Sequence, residues 1–165
     1  MIRPVLISVF LIAAAPLVRA QGAEVSLGTA AFDQTAPVEV TADALSIDQA
    51  TGAAIFDGNV LVVQGDVRMS AGLVTVLYGT NADGSPEGIA ELRASRGVTF
   101  VTPTDAAEAA EAVYQIETGM VTLAGDVLLT QGQTALSGEK LVLDLEAGTG
   151  RMEGRVRTVF GGGQN

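Results

Sequence analysis

An internal repeat constrains this chain more strongly than any other feature of its sequence. Residues 51–76 (TGAAIFDGNVLVVQGDVRMSAGLVTV) and residues 118–143 (TGMVTLAGDVLLTQGQTALSGEKLVL) align without a gap and share Thr-Gly, Gly, Val-Leu, Gln-Gly and Ser at matching positions. A weaker echo of the Gly-x-Val pattern occurs at 154–156 and a degenerate one at 96–98. A repeated unit of this kind buries its apolar face against its neighbours, and the short β-branched runs indicate a strand–turn–strand unit.

Short apolar runs follow one another from residue 38 onward. They are rich in Val, Leu, Ile and Thr, and Gly, Asn or Asp interrupts them every ~8–12 residues, a spacing typical of antiparallel sandwiches, barrels and jelly rolls. The sequence therefore predicts an all-β fold built from antiparallel strands. The candidate strands are residues 38–42, 45–48, 53–56, 59–64, 67–78, 88–95, 98–102, 112–116, 120–123, 126–131, 133–137, 140–145 and 151–160.

Period-two alternation predicts which side chains face the interior. In residues 151–160 the charged residues stand at 151, 153, 155 and 157, whereas Met152, Val156 and Phe160 lie on the opposite face. The repeat register extends this inner face to the other strands. Its members, the candidate ligand-binding residues, are Phe56, Val60, Val62, Val98, Phe100, Leu123, Val127, Leu129, Leu141, Leu143, Met152 and Val156. Whether this face lines an open groove or fills a core is left open by the sequence.

Residues 104–112 (TDAAEAAEA) do not fit the strand pattern. They follow Pro103, and Thr104 or Asp105 could cap one or two helical turns. So short a helix is marginal without packing, and we therefore expect a solvated loop leading into the strand that contains Tyr114.

The first twenty residues have the layout of a secretory signal peptide. Arg3 lies in a short head, residues 5–17 are apolar apart from Ser8, and Val18-Arg19-Ala20 ends the segment with small residues at the outer positions. The apolar run is shorter than the ~20 residues of a transmembrane helix, although an uncleaved anchor is the alternative. We expect cleavage after Ala20 and a periplasmic protein. The mature chain then has a flexible arm at 21–36, in which residues 25–27 can pair as an edge strand, one domain at 37–160 and a flexible glycine-rich tail at 161–165.

The charge balance excludes nucleic acid as a partner. The chain has 9 Lys and Arg against 19 Asp and Glu, a formal net charge of −10, and removal of residues 1–20 takes away Arg3 and Arg19 but no acid. Binding to nucleic acid depends on clustered cations that release its counterions, and docking on anionic membranes needs the same residues.

The residue inventory predicts no catalytic site, no metal site and no cofactor. The chain contains neither Cys nor His, which removes the thiol nucleophile, the commonest general base and the commonest transition-metal ligands. Carboxylate pairs such as Asp43 with Asp48, or Asp57 with Asp66, could serve a glycosidase, but Asp is common in turns and we interpret these as turn residues. The protein is therefore expected not to be an enzyme.

Residues 37–160 resemble the OstA-like domain family of lipopolysaccharide-transport proteins, which includes LptA. The resemblance rests on 37–45 (PVEVTADAL), 56–60 (FDGNV), 114–132 (YQIETGMVTLAGDVLLTQG) and 136–145 (LSGEKLVLDL), in this order. It implies a folded-over β-jelly roll, an open V-shaped sandwich, whose groove shelters the lipid A acyl chains of lipopolysaccharide. It also implies copies joined head to tail by edge-strand pairing, which bridge inner-membrane and outer-membrane partners of the same fold. Residues 104–112 depart from the family pattern and are expected to be an insertion, and the acidic surface argues against Lys and Arg as phosphate ligands.

The resulting hypothesis is a periplasmic carrier or bridge for lipopolysaccharide. A structural β-repeat scaffold or adhesin segment with a filled core is the alternative from another class. An acid-dependent glycan hydrolase is the third candidate, and the missing His and the scattered carboxylates argue against it.

Overall fold

Every regular element in the described part of the chain is a β-strand. The structure, a computed structural model, describes residues 22–28 and 32–161, so the predicted signal peptide and nearly all of the predicted tail lie outside it. Within these residues there is no helix long and apolar enough to cross a membrane. The strands are β1 (Ala23–Ser26), β2 (Val38–Thr41), β3 (Ala44–Ile47), β4 (Ala54–Gln64), β5 (Val67–Thr80), β6 (Pro86–Val101), β7 (Asp105–Ala109), β8 (Glu111–Gln115), β9 (Met120–Gln131), β10 (Thr134–Asp144), β11 (Thr149–Glu153) and β12 (Arg157–Phe160).

These strands pair antiparallel into one 12-stranded sheet in the order β1-β11-β10-β9-β7-β6-β5-β4-β2. Three short strands lie off this path. β12 pairs with β10, β3 pairs with β4, and β8 pairs with both β6 and β9. One end of the sheet is therefore formed by β1 and β12, and the other end by β2 and β3. The prediction of an all-β antiparallel fold is confirmed.

A line of bulges crosses the whole sheet, and we call it the crease. In four places two consecutive residues have left-handed φ: Gly58-Asn59, Arg96-Gly97, Gly125-Asp126 and Gly154-Arg155. The pairing register shifts at the same level, between Asp57 and Val60 in β4, between Ala71 and Leu73 in β5, and between Gly138 and Lys140 in β10. Since a bulge bends its strand, a row of them folds the sheet along one line.

The crease explains the internal repeat. Gly58-Asn59-Val60-Leu61 and Gly125-Asp126-Val127-Leu128 are the matching segments of the two copies, and Gly-Asn or Gly-Asp supplies the left-handed conformation that β-branched residues avoid. The repeat therefore marks the positions at which a long strand bends, so that each copy contributes to both halves of the folded sheet.

The two halves of the sheet pack face to face, and we call them the two layers. The Tyr114 hydroxyl of β8 donates to Oε1 of Gln64 in β4 at 2.7 Å, although these residues lie on opposite sides of the crease. At the other end of the sheet, Nε2 of Gln131 donates to the carbonyl of Ser26 at 2.9 Å. The side on which these strand ends meet, opposite the crease, is the mouth of the fold.

The bends also join strands that the sequence pattern divides. The candidate strands 53–56 and 59–64 form β4, 88–95 and 98–102 form β6, 120–123 and 126–131 form β9, and 133–137 and 140–145 form β10. By contrast, the single candidate strand 151–160 is divided into β11 and β12 at Gly154 and Arg155, which adopt φ of 77° and 39°. A glycine interrupts the pattern in each case, and whether pairing continues across it is decided by the neighbouring strands.

The expectation of a loop at residues 104–112 is wrong, and so is the helical alternative. Residues 105–109 form β7 and residues 111–115 form β8, which lie between β6 and β9 in the middle of the sheet. Ala107 and Ala112 are buried, whereas Glu108 and Glu111 are exposed. Ala has a low strand propensity, but hydrogen bonding to strands on both sides overrides it here. The segment is thus a central part of the sheet and does not protrude as an insertion.

The segment interpreted as a flexible arm contains a strand. Residues 23–26 form β1 and pair with β11, from Ala23 opposite Met152 to Ser26 opposite Thr149. The pairing of residues 25–27 anticipated from the sequence is thus found, but on the β11 side of the sheet. Its position covers β11 and leaves β12 as the exposed C-terminal strand.

Candidate functional site

The predicted inner face forms the interior between the two layers. All of the candidate residues except Phe56 and Val156 are buried, with exposed fractions of 0–3%. Phe56 and Val156 are partly buried and pack against the same cluster. The prediction of their orientation is therefore confirmed, while their role as lipid contacts stays a prediction. Phe160, assigned to the same face, is 76% exposed because β12 lies at the end of the sheet.

Sequence reasoning missed part of this interior where strands change phase at the crease. Met69 and Val74 of β5 are both buried, as are Leu136 and Leu141 of β10, although the members of each pair are five positions apart and would face opposite sides of a regular strand. The bulges at Gly72 and Gly138 reverse the alternation between them. A signal was present, because the repeat aligns Met69 with Leu136 and Val74 with Leu141.

The interior is filled by side chains of the protein itself. In one layer Val74, Leu92 and Leu123 have exposed fractions of 0%, and in the other layer Val98, Val127 and Leu129 have exposed fractions of 1%. Side chains of both layers therefore touch, so that an acyl chain fits between them only if the layers move apart.

Two polar side chains are buried in the described part of the chain, and both lie at the mouth. Gln64 is 3% exposed and Asp105 is 7% exposed. The Asp105 carboxylate accepts hydrogen bonds from Gln131 Nε2 at 2.7 Å and from Thr104 Oγ1 at 2.7 Å. The rest of the buried interior is aliphatic or aromatic, so polar recognition is confined to the mouth.

Residues 27–28 and 32–36, which lie between β1 and β2 in the sequence, contact the mouth, and we call them the mouth segment. The Leu27 amide donates to the Gly148 carbonyl at 2.9 Å. The Gly28 amide donates to Asp105 Oδ2 at 3.1 Å. Gln64 Nε2 donates to the carbonyls of Gln34 at 3.2 Å and Ala36 at 3.1 Å. The mouth segment is therefore attached to both layers.

Apolar side chains of the mouth segment enter the interior. Leu27 is 7% exposed, and the Phe32 ring meets the Tyr114 ring edge-on, with centroids 6.4 Å apart and planes at 65°. Burial raises the pKa of the Tyr114 hydroxyl above its ordinary value, so this group stays protonated and donates to Gln64. A partly open pocket of about 190 Å³ lies against the segment, lined among others by Leu27, Phe32 and Val67.

The two ends of the sheet expose apolar side chains. On β3, Leu45 and Ile47 are each 58% exposed, and on β12, Val159 is 50% and Phe160 76% exposed. All four residues of β3 and of β12 are exposed, and each strand has one unpaired side. Edges of this kind readily pair with another chain.

The acidic residues considered as catalytic pairs have local structural roles. Asp48 accepts the Ala50 amide at 2.9 Å, which lowers the pKa of its carboxyl group, and Asp57 pairs with Arg96 at 3.0 Å. Asp43 accepts Asn59 Nδ2 at 2.7 Å, next to the crease. The turn interpretation is confirmed for Asp48, whereas Asp43 and Asp57 support the bend of the sheet.

Comparisons with known proteins agree with this geometry. The model of a family described as LptA/(LptD N-terminal domain) LPS transport protein matches residues 39–149. An uncharacterized protein of Rhizobium meliloti (strain 1021) is 28% identical over 154 residues, which cover 89% of this chain and 82% of that protein. The crystal structure of LptH from Pseudomonas aeruginosa, described as the LptA homologous periplasmic component of the conserved lipopolysaccharide transport device, matches with a TM-score of 0.68 at 19% identity. That match covers 79% of this chain and 99% of LptH, and it confirms the predicted β-jelly roll.

Proposed function

The chain belongs to the LptA/LptD N-terminal domain family of lipopolysaccharide transport proteins, and from this membership we propose that it is a periplasmic, non-enzymatic carrier for lipopolysaccharide. Its interior shelters the lipid A acyl chains. Copies of the protein and partners of the same fold join at the two ends of the sheet and bridge the inner and outer membranes. Membership of the family supports the transport role, and the apolar interior between the two layers supports the path proposed for the acyl chains.

The observation that carries the proposal is the continuous apolar interior between the two layers. It extends across all the long strands, from Val62 in β4 to Met152 in β11. Burial of acyl chains gains about 0.8 kcal/mol for each methylene removed from water, and no buried charge interrupts the described interior away from the mouth. Long strands continue from one layer into the other at the crease, whereas hydrogen bonds such as Tyr114 to Gln64 and Gln131 to Ser26 hold the layers together at the mouth, so the layers can separate there.

A photo-crosslinking pair tests the acyl-chain path. Benzoylphenylalanine at Phe100, which is 2% exposed, is expected to capture lipopolysaccharide, whereas the same residue at Leu128, 39% exposed and on the outer face, is not. Equal capture at both positions, or capture at Leu128 alone, would contradict an interior path.

The filled interior also favours the second candidate, a structural β-repeat protein with a permanent core. The exposed fractions of 0–3% are those of an ordinary core. The two functions differ in one result: a permanent core yields no lipid crosslink at Phe100, while the protein still assembles through its edges.

The exposed strands at the two ends support head-to-tail assembly. We propose that β12 of one copy pairs with the β2–β3 edge of the next, which stacks the interiors into one continuous path. Pairing of two different edges generates an open chain unless rotation closes a ring. Arg155 and Arg157 could blunt the C-terminal edge, but Arg155 is bound to Glu139 at 3.4 Å, and Val159 and Phe160 follow them.

Light scattering tests the assembly. The average mass of the wild-type protein is expected to grow with concentration, and deletion of residues 157–165 should abolish this growth while leaving β11 and the interior in place. Ile47→Asp should do the same from the other edge, whereas Leu128→Asp, at an exposed position of the central strand β9, should not. A protein that stays monomeric at high concentration would contradict the bridge.

A further inference from the structure

The mouth segment lies along the side of the fold opposite the crease, where the two layers can separate. Its residues 27–28 connect to one layer through Gly148, and residues 34–36 connect to the other through Gln64. Phe32 and Leu27 turn their apolar side chains inward, and Phe32 covers the ring of Tyr114. These side chains fill the apolar space that an acyl chain would otherwise fill at the mouth.

Both buried polar side chains of the described interior serve to hold this segment. Gln64 uses both hydrogens of its amide on carbonyls of the mouth segment, and it receives the Tyr114 hydroxyl on its oxygen. Asp105 accepts the Gly28 amide, and it has no Lys or Arg within ion-pair distance among the described residues. Burial of polar groups is costly unless they are satisfied, so these two residues are explained by the segment that they hold.

The same contacts show that the segment is held less firmly than the strands. Side-chain hydrogen bonds replace a strand ladder over residues 32–36, which do not form a strand. Among the described residues, Gln34 Nε2 is buried without a hydrogen-bond partner, and a partly open pocket of about 190 Å³ lies against the segment. A buried amide without a partner lowers the stability of this arrangement.

We infer that the mouth segment is a lid over the interior, and that an entering acyl chain displaces it. The inference rests on the proposed function and concerns how access of lipid to the interior is regulated. The lid and the lipid compete for the same apolar surface. When the lid opens, its backbone groups lose their hydrogen bonds to Gln64 and Asp105 at the mouth. The acyl chain then replaces the side chains of Leu27 and Phe32.

A disulfide that fastens the lid tests the inference, and the chain has no Cys that could interfere. A Cβ added at Gly65 lies 3.8 Å from the Ala36 Cβ, which is the mean Cβ–Cβ separation in a disulfide. The pair Ala36→Cys with Gly65→Cys therefore fastens one end of the lid. Gly28→Cys with Thr104→Cys fastens the other end, where the Cβ atoms lie 2.6 Å apart and a shift of about 1 Å completes the bond.

The measurement is the association rate of fluorescently labelled lipopolysaccharide, with each variant compared in its oxidised and reduced forms. Oxidation is expected to slow association at least tenfold, and reduction should restore the wild-type rate. Ser70→Cys with Thr99→Cys is the matched control, because these residues are paired on β5 and β6 away from the mouth. Its oxidation should leave the rate unchanged.

A spectroscopic reporter gives a second readout. The chain has no Trp, so Phe32→Trp places one indole on the lid, and its emission should shift to longer wavelength as lipopolysaccharide displaces it. Equal rates for oxidised and reduced forms of both fastened variants, with unchanged indole emission at saturating lipid, would overturn the lid while leaving the carrier function intact. If lipopolysaccharide fails to bind the wild-type protein, the carrier function falls and the lid with it.

Discussion

Substitution of Gly125 at the crease tests whether close packing across the bend shapes the sheet. Gly125 has a φ of 82°, and a Cβ added there would lie 2.7 Å from the Ala110 Cβ. Carbon atoms in ordinary contact are about 3.5–4.0 Å apart, so Gly125→Ala forces the two strands apart or strains the bulge.

The expected cost combines three effects. A left-handed φ costs an L-residue about 1–2 kcal/mol, and the smaller entropy of Ala in the unfolded chain returns about 0.4–1 kcal/mol. Overpacking adds about 1–3 kcal/mol. Gly125→Ala should therefore lower the free energy of unfolding by ~2–4 kcal/mol. Gly132→Ala, at a turn with φ of 55° and no atom within 4 Å of the added Cβ, should cost only about 1 kcal/mol.

A double variant separates packing from backbone strain. Apart from the Ala110 Cβ, the nearest atoms to a Cβ at position 125 lie 3.8 Å away, an ordinary contact distance. Adding Ala110→Gly to Gly125→Ala should therefore recover ~1–3 kcal/mol relative to the sum of the two single effects, measured by urea unfolding followed by circular dichroism. Equal costs for Gly125→Ala and Gly132→Ala, or the absence of this coupling, would refute the argument that the bend is closely packed.

Three further predictions follow from burial, hydrogen bonding and charge. Leu129→Ala should cost ~2–5 kcal/mol in urea unfolding, whereas its neighbour Leu128→Ala, on the 39% exposed outer face, should cost less than about 1 kcal/mol; similar costs would contradict the assigned faces. Tyr114→Phe should cost ~1–3 kcal/mol, because it leaves the buried Gln64 oxygen without its donor, and an unchanged stability would contradict that bond. Amide hydrogen bonds lower the pKa of the Asp48 carboxyl below its ordinary 3.8, so its contribution to the turn is complete above that pH and is lost as the pH falls through the lower value of the folded state. An NMR titration should show a midpoint below 3.8, and a midpoint at or above it would contradict the turn geometry.

The sequence by itself determined the fold class and the composition of the interior. Alternation with period two is a local property of strands, so it predicted the inward orientation of residues such as Val60, Phe100 and Leu143 without any knowledge of the neighbouring strands. The repeat added the register between the two copies. Together with the order of the family-like segments, these patterns were sufficient to anticipate the β-jelly roll.

Only the tertiary structure decided where strands continue, bend or end. Gly58 lies inside a long strand and Gly154 ends one, although both carry the same Gly-x-Val signal. The difference depends on which strands are available as partners on each side. For the same reason the Ala-rich residues 105–109, which lack strand propensity, become a central strand once β6 and β9 supply hydrogen bonds on both sides.

The sequence also could not determine whether the interior is an open groove or a filled core. Aliphatic residues with the same alternation can line a groove or fill a core, because the pattern records direction and not the distance between layers. That distance is set by contacts between residues far apart in the chain, such as Tyr114 with Gln64 and Gly28 with Asp105. Long-range contacts of this kind leave no periodic signal in the sequence, so the mouth and the segment that closes it could be recognised only in the folded chain.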